Sequence, residues 1–270
     1  MKGILFGGCS FTWGQGLYFY YENISERFMD IDSSFSTDGI TQSMIDYKNS
    51  VRFANLVSNH FSTFYVTKKD EGLLLGNGGS EDETFDFFDY IFKVEKKYKF
   101  SDFDYVIIQL SNIFRNSFIF NLDQKTYIRK LIDNSINSFE LVAGNKLEEF
   151  LYQNKLTPKD LEDLFINQMF NRLIERIEYY EERGLKVKLL LMNSDYHNFF
   201  VQNPNYFKKL IKIQYNNNEY IFIDKLMSDN ENMTIKDDIK KFKCYDLHPS
   251  KLCHKIIAQS IIKSIENDKF

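Results

Sequence analysis

The chain has 270 residues, of which 43% are hydrophobic and 27% charged, and its formal net charge is −4. This balance is typical of a globular protein and argues against a disordered chain, a fibrous chain or a dedicated nucleic-acid binder. Three cysteines (Cys9, Cys244 and Cys253) without close-spaced pairs predict neither a disulfide framework nor a zinc site.

Export and membrane insertion are not predicted. The apolar stretch Ile4–Phe6 is far shorter than the roughly 7–15 residues in the apolar region of a signal peptide. No run approaches the ~18 apolar residues of a membrane span. We therefore expect a cytoplasmic protein. Its low Pro and Gly content and abundant Lys, Asn, Ile and Phe are compatible with an AT-rich bacterial, phage or viral origin.

Apolar runs and turn residues divide the chain into alternating strands and helices. Buried strands are predicted at residues 2–6, 63–67, 103–110, 185–193 and 219–224. Helices are predicted at residues 49–61, around 81–96, over 158–183, near 205–214 and from Pro249 onward. Two insertions are expected, an irregular one near residues 15–48 and another near 112–157, in which residues 116–157 are expected to be mostly helical.

This alternation implies right-handed crossovers and a parallel sheet covered by helices on both faces, in one domain over residues 1–270. In such sheets, functional groups lie on loops at the carboxyl ends of the strands. The loops after residues 6, 67 and 110 are therefore the places to look for chemistry.

The first of these loops, Gly7-Gly8-Cys9-Ser10, places a hydroxyl directly after a buried strand. If a helix begins here, the Ser10 N–H can also stabilise a developing oxyanion. Serine is equally common as a helix N-cap, so the loop alone does not decide between catalysis and capping.

Near the carboxyl terminus, Asp246 and His248 lie two residues apart, just before Pro249. A carboxylate in this position can orient an imidazole that takes a proton from a serine hydroxyl. The alternatives are a helix cap beside a surface histidine, or a metal site. The other histidines, His60, His197 and His254, show no supporting ligand spacing.

The two motifs together resemble the SGNH/GDSL hydrolases, in which the serine follows the first strand and the Asp and His precede the last helix. The resemblance spans nearly the whole chain, although short motifs carry it. It implies a flavodoxin-like α/β/α sandwich of three layers, with a five-stranded parallel sheet. It also implies a catalytic triad of Ser10, Asp246 and His248.

The resemblance further implies an oxyanion hole formed by the Ser10 N–H, the Gly78 N–H and the Asn112 side chain. Gly79 is the alternative to Gly78, and a turn with a helix cap is the structural alternative for that loop. The segment before Asn112 departs from the family pattern, because it lacks the usual glycine and has Ile113 where the family has Asp. Asn112 can equally be a turn residue that ends the strand.

Five further residues bear on the site. Cys9 replaces the family's Asp and is an alternative nucleophile, because thiolates are strong nucleophiles. Arg115 and Trp13 are candidate substrate-binding residues, with a surface arginine and a packed indole as the respective alternatives. Asp195 and His197 end the fourth predicted strand, where they either contact substrate or lie in a solvated loop.

These patterns predict a serine esterase or acyltransferase that works through an acyl-enzyme and needs no metal or organic cofactor. The resemblance favours a small acyl ester, such as an O-acetylated carbohydrate, as substrate. The alternative is a catalytically inactive SGNH-fold module that binds glycan or belongs to a virion. The sequence does not predict an oligomeric state.

Overall fold

The computed structural model describes residues 1–8, 12, 17, 41–67, 81–130, 145–234 and 249–268. The strands are β1 (Gly3–Gly7), β2 (Tyr65–Thr67), β3 (Phe103–Leu110), β4 (Ser117–Leu122), β5 (Lys125–Lys130), β6 (Lys186–Leu191), β7 (Ile213–Tyr215) and β8 (Asn218–Tyr220). The α-helices are α1 (Gln42–Val51), α2 (Phe53–His60), α3 (Glu81–Asp89), α4 (Asn145–Asn154), α5 (Pro158–Glu181), α6 (His197–Gln202), α7 (Ile223–Ser228) and α8 (Lys251–Asn267). In these ranges, no helix is long and apolar enough to cross a membrane.

The central sheet has four parallel strands in the order β2-β1-β3-β6. Its strands are apolar runs rather than alternating patterns. Val106, Ile107 and Ile108 of β3 are all buried, although consecutive side chains point to opposite faces. A strand must be apolar on both sides when helices cover both faces of the sheet, and this confirms the predicted α/β class.

Each face of the sheet packs against its own layer of helices. Leu5, Val106 and Ile108 lie in one hydrophobic cluster with residues of α3 and α5. Ile4 and Ile107 face the other way, into a cluster with residues of α2 and α8. The arrangement is a three-layer α/β/α sandwich, as expected.

The predicted fifth strand at 219–224 is wrong as a continuous element of the described sheet. Two short segments border β6 instead, through parallel bridges from Leu210 to Leu189 and from Phe222 to Leu191. Between them the chain makes the antiparallel hairpin β7–β8. Its turn residues Asn216 and Asn217 have φ of 48° and 62°, the conformation of a tight hairpin turn that Asn tolerates.

The mostly helical structure expected for 116–157 is also wrong in its first part. Residues 117–130 form the antiparallel hairpin β4–β5. In the rest of the range up to residue 157, only α4 is helical among the described residues. Phe118, Phe120 and Leu122 are buried, so the apolar period of this strand is two. The side chain of Gln168 in α5 pairs with Ile119 like another strand, accepting from Ile119 N at 2.9 Å and donating to Ile119 O at 2.7 Å.

Several helix boundaries differ from expectation. The predicted helix 49–61 is interrupted at Arg52, whose backbone is extended (φ −73°, ψ 150°), and α1 reaches back into the expected irregular insertion. The buried Arg52 side chain donates to the Tyr65 hydroxyl at 2.6 Å. The helix expected near 205–214 is a 3-10 turn over Pro204–Lys209 followed by β7.

The two long helices begin with side-chain caps. The Thr157 side chain accepts from Asp160 N, and Pro158 occupies the first turn of α5, as predicted. At α8, Ser250 is the N-cap, and its side chain accepts from Cys253 N at 3.2 Å. The helix expected from Pro249 therefore begins two residues later, because a serine hydroxyl satisfies its first free N–H groups.

Candidate active site

The carboxyl ends of β1, β3 and β6 share one edge of the sheet, because the strands are parallel. We call this the carboxyl edge. Gly7 at the end of β1 lies beside Ile108, and Leu110 at the end of β3 lies beside Leu191. β3 extends two residues beyond its last pairing with β1, so the segment that follows β3 stands above the end of β1.

Gly8, the residue after β1, packs directly on β3. Gly8 has φ of +149°, and a Cβ there would lie 2.4 Å from Thr12 Oγ1 and 2.7 Å from Gln109 Cβ. Only glycine fits such a position. Thr12 Oγ1 donates a hydrogen bond of 2.7 Å to Gln109 Oε1, and both residues are buried.

Most of the predicted site residues lie outside the described residues: Cys9, Ser10, Trp13, Gly78, Gly79, Asp246 and His248. Their roles therefore stay predictions. Asn112 and Arg115 are described, and both follow β3 at the carboxyl edge.

Asn112 caps the 3-10 turn Ile113–Arg115 by accepting from Phe114 N at 2.8 Å through its Oδ1. This is the turn role that the sequence offered as an alternative. Because a backbone N–H needs an acceptor, the amide oxygen must face the turn, and the Nδ2 faces away from it. Within the part of the chain that the structure describes, no acceptor contacts Asn112 Nδ2.

Asp195 fixes the same turn from the end of β6. Its Oδ2 accepts from Ile113 N at 3.0 Å, one residue after Asn112. Asp195 N in turn donates to Asn193 Oδ1 at 3.2 Å. The sequence indicated substrate contact or a solvated loop for Asp195 and missed this role, because no local pattern links residues 82 positions apart.

A partly buried ion pair ties α3 to the segment after β3. Asp82 pairs with Arg172 of α5 through its Oδ1, and its Oδ2 accepts from Ser117 N at 2.8 Å. Arg172 Nη1 donates to Ser117 O at 3.0 Å, and Asp82 N donates to Asn116 Oδ1 at 3.1 Å. Burial raises the pKa of Asp82, although Arg172 and the Ser117 N–H oppose the shift. The first turn of α3, which begins three residues after Gly78 in the sequence, is thus held beside the turn that Asn112 caps.

The start of α8 is tied to α2 on the other face. The buried His254 accepts from Phe53 N at 3.2 Å through Nδ1, and the two rings stack 5.4 Å apart. Ser250 N donates to Met233 O at 2.8 Å. These bonds fix the chain immediately after Pro249.

Two carboxylates, those of Asp195 and Asp224, lie at the carboxyl edge. Asp224 N donates to Met192 O at 2.9 Å, which places Asp224 beside the end of β6. Burial raises the pKa of Asp224, and the negative charge of Asp195 adds to the shift. Arg115 is half-buried, and its guanidinium makes no hydrogen bond or ion pair with another described residue. The described residues contain no group of three or more His, Cys, Asp or Glu that could hold a metal ion.

No protein-family model and no curated protein matches the chain. Among solved structures, the chain is similar to an acetyl xylan esterase, Est2A, from the rumen bacterium Butyrivibrio proteoclasticus. The identity is 14% and the TM-score 0.45. The alignment covers 99% of this chain and 64% of the esterase chain, so this chain spans less than two thirds of the esterase's length.

Proposed function

We propose that the chain is a serine-dependent ester hydrolase or acyltransferase of the SGNH/GDSL type. The observation that carries the proposal is that the described residues next to the three candidate catalytic segments lie close to one edge of the sheet. The described residues that flank the candidate catalytic loops lie at the same carboxyl edge as Asn112.

The described residues next to Ser10 and those that follow Gly78 lie close to each other, at the end of β1. Ser10 lies between Gly8 and Thr12, which both contact Gln109 at the end of β3. Gly78 lies three residues before α3 in the sequence. Thr84 of α3 lies so close to β1 that a Cβ on Gly7 would come within 2.2 Å of its methyl group.

The helix α8, which follows Asp246 and His248 in the sequence, begins at this edge as well. Asp268, just after α8, pairs with Lys188 of β6 at 2.7 Å, and its carbonyl accepts from Lys186 at 3.3 Å. These lysines lie near the start of β6, so α8 ends at the opposite edge of the sheet. α8 spans 17 residues, or about 25 Å, and therefore begins at the carboxyl edge. His248 lies three residues before that helix.

In the proposed mechanism, Ser10 Oγ attacks the ester carbonyl while His248 accepts its proton and returns it to the leaving alcohol. Asp246 holds the tautomer of His248 and stabilises its charged form. The Ser10 N–H, the Gly78 N–H and Asn112 Nδ2 bind the oxyanion. Water then releases the acid in a hydrolase, or a hydroxyl group accepts the acyl group in a transferase.

The proposed substrate is a small acyl ester, with an O-acetylated carbohydrate as the first choice because of the family resemblance. Arg115 supports a polar substrate, since its half-buried guanidinium, three residues after Asn112, can bind a carbonyl or acidic group. Trp13 is proposed as an apolar wall of the same pocket.

A fluorophosphonate probe, which reacts with activated serines, tests the proposal. We expect the wild-type chain to be labelled, with labelling lost in Ser10→Ala and retained in Cys9→Ala. Loss in Cys9→Ala with retention in Ser10→Ala would make the thiol the nucleophile. Absence of labelling at any pH would favour the catalytically inactive glycan-binding or virion-associated module. A panel of acetyl, butyryl and longer chromogenic esters then defines the acyl length.

A further inference from the structure

Gln109 is a buried polar residue in an otherwise apolar stretch of β3. It is 2% exposed, and the residues that precede it, Val106 to Ile108, are all aliphatic and buried. A buried amide in a parallel strand is costly unless it is hydrogen-bonded, so the Gln109 side chain needs a buried hydrogen-bond partner. Thr12, 3% exposed, is such a partner.

The contact joins two segments that are far apart in the chain. Thr12 Oγ1 and Gln109 Oε1 are 2.7 Å apart, although the residues are 97 positions apart in the sequence. Since the hydroxyl must donate to the amide oxygen, the bond fixes the rotamers of both side chains. In a site shielded from water, an unmade bond of this kind leaves a buried donor unsatisfied.

The Gly8 backbone completes the contact. Thr12 Oγ1 and Gln109 Cβ occupy the space that a Cβ on Gly8 would need. Gly8 and Thr12, the described residues on either side of 9–11, therefore both contact the side chain of Gln109. Asn112 follows Gln109 by three residues on the same strand end.

We propose that Gln109 and Thr12 are positioning residues that set the geometry between the proposed nucleophile, Ser10, and Asn112. The inference rests on the proposed function, and Ser10 is the residue positioned. Gln109 lies on the strand face of Tyr105 and Ile107, which pack in the cluster that contains α8. We call the hydrogen bond between Thr12 and Gln109 the clamp. It lies on the face of the sheet that α8 covers, and α8 begins three residues after His248.

A double-mutant cycle tests the clamp. Thr12→Val removes the donor with little change of shape, and Gln109→Met removes the acceptor. For each folded variant we measure the rate of fluorophosphonate labelling, kcat and KM on a p-nitrophenyl acetate substrate, and the melting temperature. Because a misplacement of about 1 Å can cost on the order of 100-fold in rate, we expect each single variant to lose about 10- to 100-fold in labelling rate and kcat. KM should stay within about 2-fold, and the double variant should be no slower than the slower single variant.

The matched control is Thr63→Val. Thr63 donates an exposed hydrogen bond of similar length, 2.6 Å, to Lys2 O at the opposite edge of the sheet, and its loss should leave the labelling rate unchanged. Thr12→Ser keeps the hydroxyl and should label within about 3-fold of wild type, whereas Thr12→Ala should not. The Ser and Ala pair decides the matter even if Thr12→Val fails to fold.

The outcomes separate the two proposals. A labelled wild type with equal rates in Thr12→Ser and Thr12→Ala overturns the clamp and leaves the proposed function standing. A lowered melting temperature with unchanged kcat assigns the bond a purely structural role and also overturns the clamp. A wild type that reacts with neither probe nor ester overturns the proposed function and the clamp together.

Discussion

At the scale of single residues, Asn112 shows how one amide can serve the fold and the proposed chemistry together. Its oxygen caps the turn after β3 by accepting from Phe114 N at 2.8 Å, and its nitrogen faces away from that turn. The cap fixes the amide orientation, so that no reorganisation is needed when an oxyanion forms. Asp195 restrains the same turn by accepting from Ile113 N at 3.0 Å.

Removal of the Asp195 carboxylate should therefore slow the reaction through Asn112. We expect Asp195→Ala to lower kcat about 10-fold, because the Ile113 N–H loses its acceptor and the turn loosens. Asp195→Asn keeps an acceptor oxygen and should retain kcat within about 2-fold. Ester turnover measured on both variants checks this, and an equal loss in the two would show that charge, rather than the turn, is what Asp195 supplies.

Asp224 makes a prediction about pH. Burial, helped by the charge of Asp195, raises its pKa above the ordinary value of 3.8. Ionisation of Asp224 therefore costs more in the folded chain than in the unfolded chain, and stability is lost as the pH rises from 3.8 through the raised pKa. Asp224→Asn, which can still accept from Lys225 N, should melt at a higher temperature than wild type at pH 7 and at the same temperature near pH 3.5. Thermal melts at the two values check the sign, and a lower melting temperature at pH 7 would contradict it.

At the scale of secondary structure, the elements with strong local signals were predictable. Thr157 and Pro158 marked the start of α5, and the apolar run of β3 marked a buried strand. The β4–β5 hairpin was not predictable, because its turn residues Asp123 and Gln124 adopt φ of 49° and 62° without the glycine that usually signals such a turn. The break between α1 and α2 at Arg52 follows from a tertiary contact with Tyr65, which no local pattern shows.

The Asp82–Arg172 pair links α3, α5 and β4, and its loss should destabilise all three. Arg172→Met leaves the largely buried Asp82 without its cation, and we expect a loss of about 2 kcal/mol, discounted from the 3–5 kcal/mol of a fully buried pair. The double variant Arg172→Met/Asp82→Asn should recover part of that loss, since the uncompensated charge is gone. Urea unfolding of the single and double variants tests this coupling. A single variant as stable as wild type would show that water screens the pair.

At the scale of the whole molecule, the sequence predicted the layers of the sandwich, whereas the catalytic role of the carboxyl edge stays a prediction. It predicted the positions of Asn112 and Arg115 at that edge. It could not predict the supports that hold the edge together, because Gln109, Asp195 and Arg172 act across 97, 82 and 90 positions of sequence. Such contacts form only in the folded chain, and no periodic pattern in the sequence reveals them.

His254 joins the last helix to the first described helices, so its loss should be felt globally. His254→Phe keeps a ring to stack on Phe53 and removes the acceptor for Phe53 N, 201 positions away. We expect a loss of about 1–2 kcal/mol, and a melting temperature lower by about 3–6 °C, because the buried N–H is left unsatisfied. Differential scanning calorimetry measures the shift. An unchanged melting temperature would mean that the bond contributes nothing net to folding.

The pairing of Gln168 with Ile119 bears on how the chain behaves in a crowded solution. An exposed strand edge is a template on which other chains can add strands. The outward groups of β4 at Ser117 and Ile119 are already bonded to side chains of α3 and α5. The helices α3 and α5 therefore prevent the edge of β4 from pairing with a strand of another chain. A chain with Gln168→Leu should form β-rich aggregates at lower concentrations than wild type.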